Sequence, residues 1–196
     1  MKKIINKKTI FTVLVVLITI FSVSGTGICA ETYFFGKEGK DLIDLGLMRM
    51  PYDMGMTFSK IDRQSSVVFM LRTFGEDDEA LKLSDEEVET IIKRFNDSND
   101  IADWAKKQIA YAINKGIIQG YPDNSFKPCA DVDSNMYCAM ILKKLGYKIK
   151  YEEALEEFLN NVEVPEYAKK EFLKDEPINM NVMYGISYYT LFATYK

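Results

Sequence analysis

The chain has 196 residues, with 25 basic and 29 acidic side chains and no histidine, which excludes a Ser-His-Asp triad, a Cys-His pair and a His-ligated zinc hydrolase site. Its net charge of −4 disfavours nucleic acid and non-specific adhesion to anionic lipid or wall polymer, so an anionic partner has to be caught by a local basic spot. Cys29, Cys129 and Cys138 are too few for a disulfide scaffold.

Lys2, Lys3, Lys7 and Lys8 precede an apolar run over 10–23, which is followed by Ser24, Gly25, Thr26 and Gly27. This is the layout of a secretory signal peptide over 1–30, with Ile28 and Ala30 suiting the positions before a cut after Ala30. Lipidation at Cys29 is disfavoured by the bulk of Ile28 and by Thr26 in place of Leu. With the four leader lysines removed, 21 basic residues face 29 acidic ones, a balance of −8. The remainder, 31–196, suits one compact domain or several small repeats sharing a core. Cys129 and Cys138 could form a single bridge, or stand as a loop thiol and a small core residue.

The segment from Asp41 to Leu47 reads as an apolar helix end running into Gly46, followed by a loop with Pro51, Tyr52, Asp53 and Gly55. Val67, Val68, Met70, Leu71 and Phe74 predict a helix closed by Gly75, and Ser84 with Glu87 forms a capping box for a helix over 85–94. Ile101, Trp104, Ala105, Ile109, Ala112 and Ile113 predict a helix over 101–115, capped by Asn99 or Asp100 and ended by Gly116. Asp97, Asn99 and Asp100 fail as a calcium loop because Ile101 takes a ligand position and the turn glycine is missing. Ile117 and Ile118 predict a short extended piece, residues 120–125 a tight turn, and 134–145 a helix capped by Asp133 and ended by Gly146. A last helix stripe is formed by Ala154, Leu155, Phe158 and Leu159; the closing segment from Tyr184 to Leu191 fits helix or strand.

Setting Gly46 against Gly116 places Asp62 against Asp133 with one residue of slack, which is an internal repeat. The expectation is a mainly α domain of three pseudo-repeats, each helix-loop-short strand-helix: about 36–83, about 95–147 and a degenerate 148–196, with a connecting helix over 84–95. Its expected core holds Leu45, Phe69, Leu71, Ile91, Phe95, Trp104, Ile109, Ile113, Phe126, Ile141 and Leu145. Tyr167-Ala168-Lys169-Lys170 echoes Trp104-Ala105-Lys106-Lys107, but it stands only 11 residues before Ile178 and is set aside as coincidence.

The stretch from Phe95 to Gly146 resembles the S-layer homology repeat through Phe95 and Asp97, Trp104 and Ala105, Ile109, Gly116 to Gly120, Asp123, Phe126 and Pro128. The resemblance implies a three-pronged helical spindle whose grooves bind a pyruvylated secondary cell-wall polysaccharide. It implies polymer contacts at Arg63, Trp104, Gly120 and Asp123. The family quartet T-R-A-E corresponds here to Asp62-Arg63-Gln64-Ser65, Asp133-Ser134-Asn135-Met136 and Asn179-Met180-Asn181-Val182: three caps remain, but Arg63 is the sole motif arginine.

The leading expectation is therefore non-covalent anchoring to the cell wall through the secondary polymer, without catalysis, cofactor, metal, nucleic acid or, after signal cleavage, membrane. One alternative is a secreted module that keeps the spindle and binds a surface protein. Another is the anchoring part of a longer surface protein. A carboxylate glycosidase is compatible with the composition, but no motif points to it.

Overall fold

The computed structural model describes residues 35–48 and 59–191. The expected leader, its cleavage site and the loop with Pro51, Tyr52, Asp53 and Gly55 lie outside them. The described residues are mainly helical and contain no sheet.

Helix α1 is Gly36–Asp44, α2 Arg63–Thr73, α3 Asp77–Ala80, α4 Asp85–Ile92, α5 Asp103–Asn114, α6 Ser134–Lys144, α7 Ala154–Asn161, α8 Glu166–Phe172 and α9 Met180–Leu191. The expected local signals operate at their ends. Ser84 and Glu87 complete the capping box of α4, and Asp62, Asp133 and Asn179 accept hydrogen bonds from the backbone N–H of Ser65, Met136 and Val182 at 2.9, 2.8 and 3.0 Å. At the end of α5, Gly116 has φ +69°, a left-handed conformation that L side chains adopt at a cost. This lets Gly116 N–H bond Ile113 O and Ile117 N–H bond Ala112 O, both at 2.9 Å, satisfying the last carbonyls of the helix.

Helices α2, α6 and α9 pack against one another at the centre, and the residues just before them form a closed ring. Ile61 N–H donates to Ile178 O at 3.1 Å, Ile178 N–H to Val132 O at 2.7 Å, and Val132 N–H to Ile61 O at 3.3 Å. All three side chains are buried. The expected short strands are replaced by this arrangement: among the described residues, β pairing is confined to the isolated bridges Lys60–Asn179 and Asp62–Asp131. Three chains meeting at one point each have a single partner position, so no ladder can extend.

The outer helices attach unequally. Helix α5 lies on α2 and α1 on α9, whereas α6 carries α7, whose Leu155 N–H bonds the Asn135 side chain at 3.0 Å. Helix α8 packs on α9, and its Tyr167 hydroxyl, with that of Tyr189, donates to the buried Glu38 carboxylate of α1 at 2.7 and 3.0 Å.

Several expectations are corrected. Helix α5 begins at Asp103, two residues later than the apolar spacing indicated, because residues 98–100 make a 3-10 turn and Ile101 is extended. Neither Asn99 nor Asp100 caps it; instead the Gln64 side chain of α2 accepts the Ala102 N–H at 3.0 Å. With Ile101 off the helix, the buried stripe is Ala105, Gln108, Ile109, Ala112 and Ile113. Trp104 falls to its edge and is 56% exposed rather than in the core. Leu45, the residue that follows α1 as its C-cap, is 41% exposed, its expected place taken by Leu42. Ile91 and Leu145 are partly buried against the core, and the other expected core residues are buried in it. The ambiguous segment 184–191 is helical, and Cys129 and Cys138 are both free thiols, exposed and buried respectively. The echo set aside as coincidence coincides with burial: Ala105 and Ala168 are fully buried, as are Ile109 and Phe172, while Trp104 and Tyr167 are both exposed.

Candidate functional site

The first turn of α2 is stitched to the loop that follows α5. Asp62 caps the helix while Arg63 N–H and Gln64 N–H, normally orphaned at a helix start, donate to Ala130 O and Pro128 O at 2.9 and 3.0 Å. The Arg63 side chain then extends under the loop and is only 8% exposed. Its Nη2 donates to Gln119 O at 2.7 Å and its Nη1 meets Met136 Sδ at 3.4 Å. The guanidinium carbon lies 4.9 Å from the Tyr121 ring centroid and 5.0 Å from that of Phe126, within the range of cation–π attraction, which strengthens on desolvation. No carboxylate is among its described partners, and Nε is buried without one. Burial pulls the guanidinium below its ordinary pKa, opposed by the nearby Tyr121 phenol; arginine nonetheless remains a cation in proteins.

The loop is shaped by its own side chains. Asp123 Oδ1 accepts from Ser125 N–H and Oγ at 3.0 and 2.6 Å, closing the turn as an Asx motif. These bonds hold the Asp123 carboxyl below its ordinary pKa. Asp97 grips the returning chain, its two carboxylate oxygens accepting from Phe126 N–H at 2.8 Å and Lys127 N–H at 2.7 Å. Asp97 thus serves the loop rather than the start of α5. Gly120 is required by proximity: a Cβ there would meet the Phe95 ring at 2.3 Å and Ser125 O at 2.9 Å.

Beneath the loop opens a cavity of about 250 Å³ lined by Arg63, Ile117, Ile118, Gln119, Gly120, Tyr121, Met136, Ala139, Met140, Lys143 and Tyr151. Two cations and no carboxylate line it, in a chain whose net charge is negative. Asp133 is engaged by Met136 N–H and by the Tyr151 hydroxyl, both from residues that line the cavity. The volume is below the ~300 Å³ where ordinary ligand pockets begin, so it has room for a small group rather than for an extended ligand.

Of the residues singled out in the sequence, Arg63 and Gly120 meet here. Trp104 and Asp123 do not line the cavity: Trp104 stands exposed on α5, and Asp123 closes the turn from outside. Tyr121, Met136, Lys143 and Tyr151 were missed. Tyr121 sits in the quoted turn, but its contact with Arg63 joins residues 58 positions apart, which no local pattern encodes. Arg63 itself is neither a solvated first-turn residue nor a side chain projecting freely into a groove.

Within the described residues, no group of three or more Cys, Asp or Glu is placed to hold a metal ion, and no helix is long and apolar enough to cross a membrane. No curated protein and no solved structure matches the chain. The family model described as S-layer homology domain matches residues 94–133, which hold α5 and the loop bearing Gln119, Gly120, Tyr121 and Phe126. Such domains are binding modules rather than catalysts, associated with the cell surface and generally serving to anchor proteins to cell-wall polymer. The loop that encloses Arg63 therefore lies within the segment that is similar to the S-layer homology domain.

Proposed function

We propose that this protein is exported and attaches non-covalently to the cell wall by binding a pyruvylated secondary cell-wall polysaccharide in the cavity beside Arg63 and Gly120. The observation that carries this reading is the cavity itself: it lies under the family-matched loop, has aromatic walls, and holds two cations and no carboxylate. A carboxylate-bearing sugar is a natural complement, since a charged donor in a partly dry site makes the stronger class of hydrogen bond. Trp104, exposed on α5, offers a flat apolar face for a sugar ring outside the cavity; Asp123 contributes by holding the turn. The ring of Ile61, Val132 and Ile178 and the mutual packing of α2, α6 and α9 support a three-pronged arrangement of pseudo-repeats over 31–196. Pull-down on purified wall sacculi tests the proposal: the protein sediments with intact walls and is released when the secondary polymer is stripped. Sedimentation indifferent to stripping would overturn it.

A second reading, a cell-surface module that binds a protein, is favoured by the exposure of Trp104 and Leu173, at 56% and 62%. Crosslinking at the cell surface that recovers a protein neighbour and no glycan would move it ahead. Either reading is compatible with a role as the anchor of a longer surface protein.

A further inference from the structure

Arg63 is the residue that the motif offers for an acidic ligand, yet it is buried and both of its terminal nitrogens are already engaged within the fold. One guanidinium edge is engaged by Gln119 O and Met136 Sδ, and its faces are occupied by Tyr121 and Phe126. What it does is clamp the loop onto α2 and lend the cavity a positive wall. The cation left for a ligand is the other one. Lys143, half-buried on the last turn of α6, lines the same cavity and, among the described residues, makes no ion pair or hydrogen bond. Its neighbour Lys144 is turned the other way and paired with Glu76 at 2.6 Å. Lys127, 4.3 Å from the Tyr121 ring centroid, is drawn toward Asp123 at 3.5 Å.

Resting on the wall-polymer reading above, we infer that Lys143 is the ligand-facing cation of this site: its ammonium holds the carboxylate of the acidic sugar, while Arg63 is a positioning residue that shapes the cavity. The chemistry suits the division. A lysine on a flexible stem is a mobile point charge that can follow a carboxylate into place, whereas a guanidinium stacked between two rings is fixed. The buried and unpartnered Arg63 Nε keeps the floor of the cavity electropositive, so the carboxylate finds an attractive wall as well as the ammonium. Tyr151, which lines the same cavity, supplies a ring against which the sugar body packs.

The assignment is tested by titration calorimetry with the full mature protein and two probes, purified pyruvylated wall polysaccharide and the same polymer with its ketal carboxylate removed by mild acid. The variants are Lys143→Gln and, as an equal loss of charge at an exposed position away from the cavity, Lys148→Gln. Lys143→Gln is expected to weaken binding to the intact polymer by about tenfold or more, the scale of one charged hydrogen bond, with its melting temperature unchanged. It is expected to bind the acid-treated polymer as the wild type does, because ammonium and carboxylate are two halves of one contact. Lys148→Gln is expected to change neither. Equal losses by Lys143→Gln on both polymers, or no loss on either, would overturn the assignment and leave the wall-polymer reading standing. Wild-type protein that ignores both polymers would overturn the two together.

Discussion

Two stretches lead into central helices, and they differ where function would reside. Between α5 and α6 the chain takes the long path of residues 116–132, with Gly120 pressed against Phe95 and Asp97 holding the return. Between α8 and α9 it takes the short path of residues 173–178. Both paths end alike, with a buried aliphatic residue in the backbone ring and an Asp or Asn cap on the next helix. Only the long path is deep enough to receive an arginine from a neighbouring helix. The comparison teaches that the framework and the receptacle are separable: caps and ring close with very few residues, whereas a cavity needs a loop long enough to fold over a side chain.

The largest blow to this difference is Arg63→Ala. It removes two aromatic contacts and a hydrogen bond to Gln119, and we expect a loss of about 2–3 kcal/mol of stability together with loss of polymer binding. Denaturant unfolding checks the first and calorimetry the second. Sequence reasoning alone treats this variant as harmless to melting, since Asp62 still caps the helix; the burial of Arg63 reverses that expectation. An unchanged unfolding midpoint would mean that the loop does not depend on its arginine.

Crowding is the next test. Gly120→Ala places a methyl group within the Phe95 ring and is expected to cost about 1–3 kcal/mol, the usual range for overpacking. Ser134→Arg sharpens the contrast from the other side. It restores the motif arginine at the start of α6, and the motif by itself forecasts stronger binding. Yet Ser134 is 3% exposed, its hydroxyl has no partner, and the neighbouring path is the short 173–178. We expect a destabilisation of similar size and no gain in affinity; a gain would show that the short path can also form a receptacle.

Smaller effects should be shared by both regions, because both keep their caps. Asp62→Ala, Asp133→Ala and Asn179→Ala are each expected to cost about 1 kcal/mol, with Asp133 the most sensitive since it also accepts from Tyr151. Markedly unequal costs at Asp62 and Asn179 would break the equivalence of the central framework. The least effect is confined to the long loop. Asp123 has a folded pKa below its ordinary value of 3.8, so the turn has this support above that value and loses it as pH falls through the folded pKa. An acid titration followed by the Ser125 amide resonance should show the turn loosening only below the usual carboxylate range.

Much of this molecule is written locally. Asp62, Asp133, Ser84 with Glu87, and the glycines after α1, α2, α5 and α6 are short-range devices: a side-chain oxygen three residues from an amide, or a residue able to take positive φ. A sequence displays them because cause and effect lie within one turn. The family-matched loop was legible for the same reason, its glycines, Asp123 and Pro128 recurring at fixed offsets.

The phase of α5 was less secure. Counting Ile101 into the helix rotated the expected stripe and drew Trp104 into the core, because hydrophobic spacing does not distinguish a buried residue at the end of a loop from one on the helix itself. The sequence by itself determined the helical class, the capped starts, the glycine stops and the family segment. Only the tertiary structure decided that Arg63 is enclosed between Tyr121 and Phe126, that the three residues before the central helices close a backbone ring, and that Lys143 stands in the cavity unpaired among the described residues while Lys144 is neutralised by Glu76. Each of those outcomes depends on groups tens of residues apart arriving at one point, and adjacent lysines with the same composition diverge because a helix turns them to different neighbours.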